Sequence, residues 1–281
     1  MGNFVANLKE GKSKFVLNIV VAPLFLLPFL WVVSTSLKKA SDITSYPPKW
    51  IPSEFTLENY SEIFHIEGGS FLLFITNSVI LTVCTVIVVI LVGALAGYGI
   101  SKLNIPFKNV IMTLILITLM IPFHGLLIPL FSIMKDLNLM NTHLALVLVY
   151  VTFQLPFSVF MLKNSFDSLP SSLREAAMID GSSEFQNFFK ISLPLVWPGL
   201  ATVAIFSAYT TWNDFLIALV FANSQDMRTL NVGLTNMAIG QYGTDWGLLS
   251  AGAIISFIPI IILFLFLQKY FISGLTSGAV K

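Results

Sequence analysis

The chain has 281 residues, of which 56% are apolar and only 10% charged, with a mean hydropathy of +0.86. Globular chains carry about a quarter of their residues as Asp, Glu, Lys and Arg, so a soluble fold is excluded. A net charge of +1 excludes a nucleic-acid binder driven by bulk charge. The single cysteine, Cys84, has no internal partner, and no Cys/His set has metal-ligand spacing, so neither a metal nor another cofactor is expected.

A hydrocarbon core of about 30 Å takes roughly 20 apolar residues per helix. Six runs meet this, at about 15–34, 71–99, 107–131, 143–162, 198–222 and 249–272. They lack the alternation of barrel strands. The expected fold is an all-α polytopic membrane protein, with residues 1–281 forming one transmembrane domain of six spans. Lys9, Lys12 and Lys14 precede the first run as in a signal peptide. The run is longer than an h-region and Ser34-Thr35-Ser36-Leu37 is a poor cleavage site, so an uncleaved anchor is expected. Gly11-Lys12-Ser13 resembles the end of a phosphate-binding loop. Ala6 stands where its first glycine belongs and no strand precedes it, so no nucleotide site is expected.

With the N-terminus in the cytoplasm, 10 of the 15 Lys and Arg side chains fall inside and 5 outside, as the positive-inside rule requires. Six spans then return the C-terminus to the cytoplasm, and residues 163–197 form a cytoplasmic loop. Prolines inside the runs, Pro122, Pro129 and Pro156 among them, are tolerable where neighbouring helices satisfy the freed carbonyls. His124, beside Pro122, reads as a satisfied polar residue near a proline break.

Residues 163–197 carry helix signals. Ser172-x-x-Glu175 and Ser183-x-x-Gln186 both have capping-box spacing. Gly181 lies between them, where a left-handed helix-ending residue belongs. Leu173, Ala176, Ala177 and Asp180 share one helical face, and Phe185, Phe188, Phe189 and Ser192 share another. The pattern predicts helix, tight turn, helix, with a stop at Pro194. The small-residue face of the first helix suits a groove, where Glu175 would meet a basic side chain. Alternatively Glu175 caps its own helix and the phenylalanines pack on the membrane surface; the two roles are compatible.

Asp214 is the only acidic residue expected within a span, beside Trp212 and Asn213. An ionisable group in lipid is costly, which marks it as functional. Asn213 and Asp214 would contact solute hydroxyls and Trp212 would stack on a sugar; alternatively the three make structural hydrogen bonds. The scarcity of charge within the spans suits a neutral solute. The outer segment 222–248 holds Asn236, Gln241, Tyr242 and four glycines, and reads as a protruding partner-binding loop or as a connector.

Glu175-Ala176-Ala177, Gly181 and Ile191-x-Leu193-Pro194, in that order between two apolar runs, resemble the coupling loop of ABC-importer permeases. Thr56-Leu57-Glu58-Asn59-Tyr60, Asn77-Ser78, Ile128-Pro129-Leu130-Phe131, Trp212-Asn213-Asp214-Phe215 and the ending 268–281 resemble their carbohydrate-uptake branch. Within it, the chain resembles the six-span permease of the maltose transporter. Ser182 departs from the Ala common after the glycine, and His124 from the Gln frequent near that proline. The resemblance implies a sugar importer assembled from a homologous second permease, ABC ATPase subunits and an extracytoplasmic solute-binding protein. It also implies that Glu175, Ala176, Ala177, Asp180, Gly181, Leu193 and Pro194 couple to the ATPase, and that the outer loop reaches the binding protein. A stand-alone secondary carrier for a small neutral solute would instead need several polar groups at the midplane. A membrane enzyme would need clustered catalytic side chains, yet His65, His124 and His143 are scattered.

Overall fold

The computed structural model describes residue 19 and residues 21–65, 70–238 and 243–276. Its long helices coincide with apolar runs, because a helix satisfies its own backbone polar groups where water is absent. They are α1 (Val21–Ser36), α3 (Ser70–Lys102), α6 (His143–Asp167) and α12 (Trp246–Thr276), with the short α2 (Glu58–Glu62) after α1. Among the described residues α3, α6 and α12 are single helices long and apolar enough to cross a membrane. Large apolar side chains point outward from them, such as Leu72, Leu91 and Leu95 on α3 and Leu265 on α12.

Two expected continuous spans are broken. The run at 107–131 is α4 (Lys108–Thr118) and α5 (Phe123–Asp136), bent by 94°. Pro122 is the N-cap of α5; it cannot donate to a helix ahead of it and disfavours helical geometry at Ile121. The run at 198–222 is α9 (Trp197–Trp212) and α10 (Leu216–Phe221), interrupted at Asn213–Phe215. Asp214 therefore sits at a helix break and not inside a helix. The helices of the 163–197 segment are α7 (Ser171–Ile179) and α8 (Glu184–Leu195), and α8 meets α9 at 76°. α8 ends at Leu195, one residue past Pro194, and the bend comes at Val196, close to the expected stop. The outer segment is not all loop, since Leu230–Ala238 forms α11.

The chain packs as two compact units, residues 1–69 with 234–257 and residues 70–233 with 258–281. In the first, Asn59 of α2 donates from Nδ2 to the carbonyls of Ser36 and Lys38, both at 2.9 Å, closing the end of α1. The Tyr60 hydroxyl lies 2.8 Å from Ser36 Oγ. In the second, Val89, Ala94 and Tyr98 of α3 pack with Leu162 and Phe166 of α6, Phe188 of α8, and Leu200 and Val203 of α9.

Close approach of α3 to α6 rests on Gly93 and Gly97, a small-x-x-x-small pair. A Cβ on Gly97 would stand 2.9 Å from Lys163 N and 3.2 Å from the Leu162 carbonyl carbon, backbone atoms that no rotamer change can move. A Cβ on Gly93 would find its nearest neighbours at 3.4 Å. Gly97→Ala is therefore expected to lose about 1–3 kcal/mol of packing, against about 1 kcal/mol gained in helix propensity. Gly93→Ala should be neutral or stabilising. Thermal unfolding of the detergent-purified protein checks this, and equal shifts for the two variants would refute the contact argument.

Candidate functional site

Three places among the described residues hold the side chains that the sequence marked. The first is the α7–α8 segment. α7 ends in a Schellman turn: Gly181 N–H donates to Met178 O at 3.1 Å and Ser182 N–H to Ala177 O at 2.9 Å, with Gly181 at φ +81°. α8 opens with a capping box, Ser183 Oγ accepting from Gln186 N at 3.2 Å and Gln186 Oε1 from Ser183 N at 3.0 Å. The expected box at Ser172 and Glu175 does not form, because the helix begins two residues earlier, with Pro170 as its N-cap. Glu175 is exposed, and no hydrogen bond or ion pair engages it among the described residues.

The expected small-residue face divides. Ala177 is buried, whereas Leu173, Ala176 and Asp180 are exposed beside Met178 and Ile179. On α8, Phe188 and Ser192 turn inward while Phe185 and Phe189 stay outside, their rings 4.5 Å apart. Residues Asn187–Ser192 wind as a π-helix, which shifts the expected periodicity. Leu193 is half-buried and Pro194 exposed.

This segment is fastened to the long helices. Arg174 of α7 grips Glu184 of α8 with two nitrogens, Nε lying 3.2 Å from Oε2 and Nη2 meeting Oε1. The Tyr98 hydroxyl, from α3, donates to Glu184 Oε2 at 3.0 Å. The Tyr98 ring stands edge-on to Phe166 and Phe188, at 5.4 and 5.0 Å. Below it, Lys102 Nζ donates to Leu169 O at 2.8 Å and Ser101 Oγ to Asp167 Oδ1 at 2.6 Å. Arg174 holds the Glu184 carboxyl below the usual carboxylate range. A lowered folded-state value means that this contribution is present above the ordinary carboxylate range and disappears as pH falls through the lowered one. The partial exposure of both side chains keeps its worth small. The charges of Arg174 and Glu184 across the Gly181 turn were a readable signal for this clasp. Nothing in the local sequence marks Tyr98.

The second place is a cavity of about 790 Å3 in the same unit. Its wall includes His124 beside the α4–α5 break, Tyr150 and Gln154 of α6, Thr210 of α9, and Asp214. Asp214 Oδ2 accepts from the Tyr150 hydroxyl at 2.9 Å and from Ala218 N at 3.0 Å, capping α10. Gln154 donates to Thr211 Oγ1 at 2.9 Å and accepts from Ser207 at 2.5 Å. Trp212 is only 5% exposed and is absent from this wall. Asn213 is exposed and donates to Tyr209 O at 2.9 Å. The sequence thus marked Asp214 and His124 separately; the fold brings them to one cavity with Tyr150, Gln154 and Thr210.

The third place is the outer segment. Asn77 Nδ2 donates to the carbonyls of Asp226 and Arg228, at 2.8 and 3.0 Å, and Leu230 N donates to Ser78 Oγ at 2.8 Å. The Asn77-Ser78 pair therefore anchors the approach to α11. Asn236 is exposed on α11; Gln241 and Tyr242 lie outside the described residues. Leu230, Gly233, Leu234 and Met237 have the spacing of a helical face, which was the available signal for α11.

Residues 89–277 match the model of the family described as "Binding-protein-dependent transport system inner membrane component". The chain is 35% identical to the sulfoquinovosyl glycerol transport system permease protein SmoH of Agrobacterium fabrum, with 97% of this chain and 95% of SmoH covered. It is 41% identical to the arabinooligosaccharides transport system permease protein AraQ of Halalkalibacterium halodurans, over 82% and 81% of the two chains. A chain in the crystal structure of a bacterial ABC transporter that imports the acidic polysaccharide alginate superposes with a TM-score of 0.83. The two are 25% identical, with 93% of this chain and 96% of that one covered. With apolar helices, a fold shared with a chain of a solved importer and a family match over most of its length, the chain belongs to the inner-membrane permease components of binding-protein-dependent ABC transport systems.

Proposed function

We propose that this permease carries a sugar or oligosaccharide inward across the plasma membrane, powered by ATP hydrolysis on a separate subunit. The observation that carries the cargo class is the length and closeness of the match to SmoH and AraQ, whose names specify glycoside and oligosaccharide cargo. The alginate importer moves an acidic polymer, so the scarcity of charge within the spans does not select a neutral solute. Partners in this reading are a homologous second permease, ABC ATPase subunits, an extracytoplasmic binding protein and the surrounding membrane lipid. The test is uptake of labelled mono- and oligosaccharides by cells lacking this chain. Unimpaired uptake of every sugar, with no ATPase recovered alongside the purified protein, would favour a stand-alone carrier.

In this reading the six crossings are α1, α3, the bent α4–α5 pair, α6, α9 with α10, and α12, all within one transmembrane domain. Both termini and the α7–α8 segment lie in the cytoplasm. Glu175, Ala176, Asp180, Gly181, Leu193 and Pro194 form or support the ATPase-facing surface, and Ala177 holds α7 against the body of the protein. Asp214 and Asn213 border the translocation path, with Trp212 as buried support. Asn236, and Gln241 and Tyr242 beyond it, face the binding protein.

Orientation is open to direct labelling. In a Cys84→Ala background, Asp226→Cys is expected to react with a membrane-impermeant maleimide in intact spheroplasts. Lys190→Cys should react only after lysis. Both positions are exposed. Labelling of both in sealed spheroplasts would refute the topology.

A further inference from the structure

A cavity of about 490 Å3 lies within the compact unit that holds α1 and the first turns of α12, and none of the residues assigned above lines it. That volume is in the range of small-molecule sites. One wall is apolar, formed by Trp31 and Val32 of α1 with Leu249 and Ala253 of α12. The polar end combines three groups of unequal status. Asp42 is committed: Oδ1 accepts from Lys49 Nζ at 2.7 Å and Oδ2 from Ser53 N at 2.7 Å. Lys38 is only 2% exposed, yet no carboxylate pairs with it directly among the described residues. Its ammonium donates once, to Lys49 O at 2.5 Å, and sits 4.2 Å from the Trp31 ring centroid. An ammonium has three donors. Thr35 Oγ1, in a residue 6% exposed, has no hydrogen-bond partner among the described residues.

Asp42 offsets only one of the two ammonium charges, Lys38 and Lys49, so the cavity retains a net positive charge and one unused hydroxyl beside an apolar wall. Buried polar groups call for partners, and an unpaired buried charge calls for a counter-charge. The complement is an anion with several acceptor oxygens attached to hydrocarbon. The apolar side chains of α1, Leu24 and Phe25 among them, are exposed as lipid-facing residues are, so such a molecule is at hand. Trp31, Trp50 and Trp246 cluster at this end, as aromatic side chains do at a membrane interface.

We propose that this cavity is a binding site for an anionic phospholipid. The phosphate takes the free donors of Lys38 and Thr35, and the start of one acyl chain lies along Trp31, Val32, Leu249 and Ala253. The inference needs α1 and α12 to be membrane segments; it does not depend on the cargo or on which leaflet the cavity faces.

The test is native mass spectrometry of the assembled importer after delipidation in mild detergent and titration with phosphatidylglycerol, phosphatidylcholine or inorganic phosphate. Phosphatidylglycerol should be retained at least tenfold more tightly than phosphatidylcholine, and inorganic phosphate should not compete at equal concentration. Lys38→Gln should lower phosphatidylglycerol affinity at least tenfold, and Thr35→Val should lower it less. Ala253→Phe, which leaves Lys38 in place and fills the apolar wall, should also lower it and keeps the test decisive if Lys38→Gln fails to fold. Equal retention in the wild type and in folded Lys38→Gln or Ala253→Phe protein overturns the site. Absence of retained phosphatidylglycerol in the assembled complex overturns it too and leaves a protein segment of the assembly as the occupant. Competition by inorganic phosphate alone would reduce the site to an anion site without a lipid chain.

Discussion

A Glu175→Lys chain is expected to reach the membrane in normal amount and to take up no cargo. Glu175 is exposed on α7 and caps nothing, since Pro170 begins that helix and no side chain closes its first turn. Its replacement therefore leaves the fold of this chain intact. What it changes is the charge presented by an exposed surface that also carries Leu173, Ala176, Met178 and Ile179. Charge reversal opposite a basic group costs about 2 kcal/mol or more, roughly a thirtyfold loss of association. Glu175→Gln, which removes charge but keeps shape, should lose less. Gly181→Val reaches the same surface by another route. A side chain at Gly181 would meet nothing within 4 Å, so its cost comes from the backbone alone, at φ +81°. That cost is about 1–2 kcal/mol, enough to unwind the Schellman turn in part and to swing α7. Membrane content by immunoblot, co-purifying ATPase and uptake are the three readouts. Normal uptake with Glu175→Lys would remove this surface as the ATPase contact, and loss of the protein from the membrane would return Glu175 to a structural role.

The sequence carried the helices and the turn chemistry because those depend on neighbours in the chain. Apolar runs located α3, α6 and α12, and Gly181 and the Ser183–Gln186 box fall where local rules put them. The same local rules overreached where the long-range fold decides. Pro122 was visible, but whether a proline kinks a span or turns it by 94° depends on what packs around it. Asp214 was marked by its charge. Its partner Tyr150 lies 64 positions away and only the fold brings them to 2.9 Å. The cavity was illegible for the same reason, since His124, Gln154 and Thr210 reach it from different helices.

Breaking the clasp between α3 and the α7–α8 segment is expected to separate ATP hydrolysis from transport. Glu184 is the hub: Arg174 reaches it from α7 and Tyr98 from α3. Glu184 thus joins α7 to the helix that packs on α6, beside the Lys102–Leu169 and Ser101–Asp167 bonds. Glu184→Ala removes both carboxylate bonds, leaves the exposed face of α7 unaltered, and leaves the buried Tyr98 hydroxyl with Arg174 as its remaining polar neighbour. Loss of one hydrogen bond from a buried hydroxyl costs about 1 kcal/mol. ATPase association should persist, because Glu175 and the exposed residues around it are untouched. Cargo moved per ATP hydrolysed should fall at least tenfold in reconstituted vesicles. Tyr98→Phe keeps the ring contacts with Phe166 and Phe188 and loses only the hydroxyl bond, about 1 kcal/mol, so its defect should be milder. The double variant discriminates. If the two side chains act through their shared bond, adding Tyr98→Phe to Glu184→Ala should cost no further coupling. Additive losses of coupling would show that the two residues act independently, and an unchanged ratio of cargo to ATP in Glu184→Ala would remove the clasp from the transmission path.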